Sequence, residues 1–180
     1  MVATKTLSAV QQKFILHWGE MGTRWGVNRT VAQVHALLYL SPEPLNADDI
    51  VGALAVARSN VSTSLKELQG WGIVSLVHVA GDKRDHFESM KDVWEMFRIV
   101  LDERKKRECD PTMRLLRDCI GEAEKDKATD DYTEERLREL YRFFEATTGW
   151  YDQVRRWPTA TVVKFVKRGD KVLKMLGLAG

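Results

Sequence analysis

Residues 73–79 (IVSLVHV) and 84–90 (RDHFESM) are two runs of strand formers, and Ala80-Gly81-Asp82-Lys83 between them carries a turn signal. The two runs therefore predict a β-hairpin in a chain whose other periodicities are helical. The residues leading into it read LNADDIVGALAVARSNVSTSLKELQGWGIV over 45–74. Asn46 is placed to cap a short helix through about Leu54, with Asp48 and Asp49 in a first turn where the helix dipole favours acids. Ile50 and Leu54 point inward. Ala55-Val56-Ala57 makes a tight turn, and Ser59 is the expected cap of a second helix with apolar positions Val61, Leu65 and Leu68. Gly70 and Gly72 bracket its end.

Two more helices precede this segment. Residues 7–21 space Leu7, Val10, Phe14, Ile15 and Trp18 along one helical face, and Gly19, Gly22 and Gly26 are expected to loosen the chain after it. Residues 28–40 form the next, with Asn28 as cap, a buried stripe of Val31, Val34, Leu37 and Leu38, and Pro42 and Pro44 as its stop. Helices, a turn, a further helix and a hairpin make the winged helix-turn-helix pattern. Beyond residue 90 the texture changes: residues 91–180 hold 38 of the 54 charges, as exposed helices or arms do. Val93, Trp94, Phe97, Val100 and Leu101 start a helical stripe, which Pro111 restarts or kinks. Met113, Leu116, Ile120 and Ala123 continue it. Thr133 is expected to cap a helix with Leu137, Leu140, Tyr141 and Phe144 inside. A last helix is expected from about Thr161 to Leu176. The chain thus reads as mainly α with a small β-hairpin wing. Residues 1–90 are expected to be the winged helix-turn-helix domain, and residues 91–180 a separate helical region.

Composition excludes several classes. The net charge is only +2, so any contact with nucleic acid must come from local placement. No run of 18 apolar residues spans a membrane, and no secretory signal is expected, so the two cysteines, Cys109 and Cys119, should be reduced thiols in a cytoplasm. The four histidines have no zinc-ligand spacing with the cysteines, so no metal and no cofactor is expected. Gly-x-Ser-x-Gly, a P-loop and His-Glu-x-x-His are absent, and no enzyme is expected.

The 59–70 helix is the candidate reader. With Val61, Leu65 and Leu68 turned inward, Ser59, Thr63 and Lys66 fall on the opposite side, with Asn60 and Ser62 on the flanks. That face is short, polar and weakly basic, as a helix in the major groove should be. Lys83 and Arg84 at the hairpin tip suit a minor groove, and Asp82 and Asp85 can orient the guanidinium.

Residues 45–90 resemble the DNA-binding core of the MarR-type winged-helix repressors, with Gly81-Asp82-Lys83-Arg84 as the wing. His17-Trp18-Gly19-Glu20-Met21-Gly22, the stretch from Val34 to Leu45, and Trp71-Gly72-Ile73-Val74 are similar to the GbsR branch. The resemblance implies a homodimeric, ligand-responsive regulator on a pseudo-palindromic operator of double-stranded DNA. Its candidate contacts are Arg58, Ser59, Asn60, Ser62, Thr63, Lys66, Lys83 and Arg84. The dimer interface is expected from the first and last helices, where Phe14, Val162, Phe165, Val166 and Leu173 offer apolar surface. Some members of the branch sense choline, which implies a quaternary ammonium effector; Trp18, Trp25 and Trp94, three of six tryptophans, are its candidate cage. The alternative is a winged-helix module that binds protein and not DNA.

Overall fold

The computed structural model describes residues 7–126 and 128–168. Eight helices and a three-stranded antiparallel sheet are present among them. By contacts the chain divides into two compact units, residues 1–99 and 100–180.

In the first unit, α1 (Ala9–Arg24) opens on a reciprocal cap between Ser8 and Gln11. It does not loosen at Gly19 and Gly22, as the sequence suggested, but runs through both. The reason lies in α2 (Arg29–Leu40), which crosses there. A Cβ on Gly22 would stand 2.5 Å from the Ala32 Cβ, and one on Gly19 would stand 2.7 Å from the Gln33 side chain. Only Gly26, with φ 74, makes a turn. Asn28 caps α2 as expected. That helix is buried all round from Val31 to Leu38, not along one stripe, so Gln33 and His35 are enclosed too. Val34, Leu37 and Leu38 meet Ile50, Val61, Leu65 and Leu68 in the core.

Asn46 caps α3 (Ala47–Leu54), and Asp49 returns a bond to the Asn46 amide. Leu45–Asn46 also forms a short strand, β1, which the sequence did not disclose. It pairs with β3 (His86–Ser89), which pairs in turn with β2 (Val74–Val77). The expected hairpin is there, widened to order β1-β3-β2. Lys91, just past β3, donates to the carbonyls of Leu38, Tyr39 and Ser41 at 2.9 Å each. This satisfies the open carbonyl end of α2 and ties it to the base of the wing.

The second unit holds the end of α5 (Val93–Arg104), a π-helical turn at Lys105–Cys109, and α6 (Asp110–Ala123). Pro111 stands in the first turn of α6, directly after the π-helical turn, so the regular helix restarts there as expected. A proline ring collides with the carbonyl four residues earlier in a regular α-helix, and the wider turn just before it makes room. The cap of α7 (Asp131–Val154) is Asp130, not Thr133; the Thr133 amide and hydroxyl both donate to it. Arg138 joins Glu134 to Glu124 beyond the end of α6. The last described helix is α8 (Thr159–Lys167); the expected course to Leu176, Leu173 included, lies outside the described residues. Among the described residues of this unit only Leu116 and Thr148 are buried, while Leu140, Phe143 and Trp150 stand exposed on α7.

Candidate nucleic-acid interface

The candidate interface centres on α4 (Arg58–Gly70), which follows α3 after a three-residue turn. Ala55 makes that turn in the left-handed region, φ 52 and ψ 41. Such a conformation costs a non-glycine residue on the order of 1 kcal/mol, and the packing on either side holds it. Ala57 is the N-cap of α4 and no side chain caps it. Ser59 therefore does not cap the helix as expected: the helix begins one residue ahead of it, so its hydroxyl lies inside the first turn. Val61, Leu65 and Leu68 are buried as the spacing required, and Ser64 with them. Arg58, Ser59, Asn60, Ser62, Thr63 and Lys66 are all exposed.

The wing tip is a clamped turn. Gly81 takes φ 83, and the Asp82 amide closes the turn on the Val79 carbonyl at 3.1 Å. The Asp82 carboxylate then accepts from the Arg84 amide at 3.0 Å and from Arg84 Nε at 2.9 Å, and pairs with the guanidinium terminus. These side-chain bonds first, then the backbone bond, hold the Asp82 carboxyl far below the usual carboxylate range and raise Arg84 further. Each charge thus favours the ionised form of the other. Asp82, and not Asp85, orients Arg84. Beneath the turn, His86 is buried, with Nδ1 2.8 Å from the Arg84 carbonyl and Nε2 3.5 Å from Asp82.

Arg58, Ser62 and Lys66 of α4 and Lys83 and Arg84 of the wing line one concavity of about 510 Å³. Ser59, Asn60 and Thr63 are exposed on α4 but do not line it. Two residues that sequence reasoning missed do. Gln69 continues the Ser62 and Lys66 row at helical spacing, a signal that was there to be read. Asp48 pairs with Arg58 across the turn between the helices, which one helix's periodicity does not reveal.

Of the three tryptophans considered for an effector, Trp18 and Trp25 meet edge to face at 6.0 Å, with Phe14 stacked on Trp18 at 5.4 Å. Trp94, half-buried near the start of α5, joins no ring pair among the described residues. Phe14 packs on the core of its own unit, whereas Phe165 and Val166 are exposed. No group of three or more His, Cys, Asp or Glu among the described residues is set to hold a metal, and no helix among them is long and apolar enough to cross a membrane.

The MarR family profile matches residues 25–85, the stretch that builds α2 through the wing tip. The chain is 22% identical over 149 residues to the HTH-type transcriptional repressor GbsR of Bacillus subtilis (strain 168), covering 79% of this chain and 82% of that one. A crystal structure of a transcriptional regulator superposes with a TM-score of 0.56 at 18% identity, over 81% of this chain and 95% of its own. That likeness supports the winged-helix architecture. A buried apolar triplet that turns a polar, basic helix face outward, an aspartate-clamped arginine at the tip of the wing and these matches agree: the chain is similar to the MarR family over residues 25–85 and to a GbsR-type repressor over most of its length, and it is a DNA-binding transcriptional regulator.

Proposed function

We propose that the protein is a ligand-responsive repressor that binds a pseudo-palindromic operator as a homodimer in the cytoplasm. The observation that carries the DNA reading is the shared concavity of α4 and the wing tip. Arg58, Ser62 and Lys66 come from one element and Lys83 and Arg84 from another, yet they face the same space. Duplex DNA offers a major groove wide enough for α4 and, beside it, a minor groove that attracts an arginine. Ser59, Asn60, Ser62 and Thr63 supply hydroxyl and amide groups for base edges or phosphates, and Lys66 and Lys83 supply charge.

One recognition helix touches too few base pairs for useful specificity, which favours a two-fold dimer with helices in successive major grooves, about 10 base pairs apart. The exposed Leu140, Phe143 and Trp150 on one side of α7, in a unit whose described residues bury little, support self-association. DNA binding is assigned to residues 1–90 and dimerisation to residues 91–180. Repression is carried over from the Bacillus relative. For the effector we keep a quaternary ammonium compound, supported by the Trp18–Trp25 pair; choline titrated against tryptophan fluorescence tests it.

Selection from a randomised duplex library, followed by gel shift of the enriched duplex over a salt series, tests the DNA reading. Affinity should fall steeply with salt, with a slope of about one per phosphate neutralised. If no duplex is enriched or shifted, the winged helix binds protein instead.

A further inference from the structure

The DNA-facing concavity contains a carboxylate that phosphate attraction disfavours. Asp48 lines it together with Arg58, Lys66 and Arg84, and its side chain pairs with Arg58 across the α3–α4 turn. The fold has little use for that carboxylate. Both side chains of the pair are more than half exposed, 58% for Arg58 and 59% for Asp48, and such a surface pair contributes little to stability. Nor does the cap of α3 need it, although a first turn favours any acid. Asn46 accepts from the Asp48 and Asp49 amides, and it is the Asp49 carboxylate that returns to the Asn46 amide.

The cations of the site fall into two kinds. Arg58 is held by Asp48 and Arg84 by Asp82. Lys66 and Lys83 have no ion pair among the described residues. An unpaired cation on a flexible side chain settles on the nearest phosphate, and phosphates are alike at every sequence. A guanidinium gripped on one edge by a carboxylate behaves differently. Its remaining N–H groups point in one direction, and it reaches a phosphate only by giving up its partner.

We propose that Asp48 is a specificity-determining residue of the DNA site: it holds Arg58 off the phosphate backbone and presents its free N–H groups to base edges. This rests on the DNA reading above. Asp48 restrains Arg58 through one ion-pair contact, where Asp82 holds Arg84 through a wider set of bonds, while the two lysines are left to find phosphates.

Asp48→Asn is nearly isosteric, removes the charge and leaves the Asn46 cap intact; Asp48→Ser is a second neutral variant that a first helical turn accepts. Both, Arg58→Ala, and each combined with Arg58→Ala are compared with the wild type by fluorescence anisotropy. Two duplexes serve as probes: the one the wild type enriches from a randomised library, and a shuffled duplex of the same composition. With Arg58 present, either neutral variant should bind the shuffled duplex more tightly and steepen its salt slope by about one per half-site, as the freed guanidinium takes a phosphate. The preference for the enriched duplex should narrow by roughly tenfold. Without Arg58, the same variants should move both duplexes by one common factor and leave the preference alone. Equal shifts on both duplexes with Arg58 present would reduce Asp48 to a repelling charge and overturn the proposal. So would a narrowing that persists without Arg58. A wild type that prefers neither duplex defeats the DNA reading itself, and this inference falls with it.

Discussion

At the scale of single residues, two positions show how environment decides what a side chain does. Arg84 sits on an exposed tip, yet three of its nitrogens are committed to Asp82, so its remaining N–H groups are held in one orientation. Arg84→Ala should weaken binding and lower the salt slope by about one unit per subunit, as loss of one groove cation requires. Unchanged affinity and slope in an anisotropy series would remove the wing from the interface. His35 is the opposite case. Enclosed in α2 with no partner for Nε2, its imidazole is pushed by burial, and secondarily by the Lys91 charge, from 6.5 down to about 4. The unfolded chain therefore takes up this proton below about pH 6.5, and the folded chain does not until near pH 4. The stability due to neutral His35 is complete above pH 6.5 and is lost as pH falls toward 4. Between pH 7 and 5 the wild type should lose about 1–2 kcal/mol more than His35→Phe, read from urea midpoints. Parallel curves for the two proteins would show that His35 does not titrate in this way. Sequence alone placed His35 in a helix, but a four-position stripe did not reveal that every side of that helix is covered.

At the scale of elements, the helix starts divide by how local their cause is. Asn28 and Asn46 cap α2 and α3 as read, because an N-cap with a short amide directly before a helical run is a local device. Ser59 and Thr133 are chemically suited to capping but lie inside their helices, since Ala57 and Asp130 already take the extended backbone that a cap needs. Gly19 and Gly22 show the same limit. Their role as a contact surface for α2 exists only after the two helices cross. Gly22→Ala should therefore destabilise the fold by about 1–3 kcal/mol, although alanine is the better helix former. A thermal melt that rises in the variant would contradict the close crossing. In α4, Thr63 stands opposite the buried Val61, Leu65 and Leu68. Thr63→Ala should keep the fold and cost roughly 1–3 kcal/mol of discrimination at one base step in each half-site. A series of single-base operator variants that gives the wild-type profile for this mutant would take Thr63 out of direct reading.

At the scale of the whole molecule, the two units use their apolar residues differently. The first encloses a continuous core from Ile15 through Phe87, while the described part of the second leaves large side chains on the α7 surface. Leu140, Phe143 and Trp150 fall within one side of α7 at helical spacing, and Phe143 and Trp150 are 60% and 61% exposed. Light scattering should give twice the 20.7 kDa chain mass at micromolar concentration. Phe143→Glu with Trp150→Glu should return a monomer whose DNA affinity falls with the loss of the second half-site. A wild type that scatters as a single chain would end the dimer reading.

The order of helices, turn and wing, the inward triplet of α4 and the basic tip of the hairpin were all legible in the sequence. Each follows from periodicity, capping or turn chemistry within some 15 residues. What only the tertiary structure decided involves partners far apart in the chain or across a turn. β1 joins the sheet because Leu45 and Asn46 meet Phe87 and His86. Lys91 reaches back some fifty residues to the end of α2. Asp48 finds Arg58 only once α3 and α4 are folded against each other. Local pattern determines which face of an element is apolar. Which polar group meets which depends on how those faces close, and no periodicity within one element encodes that.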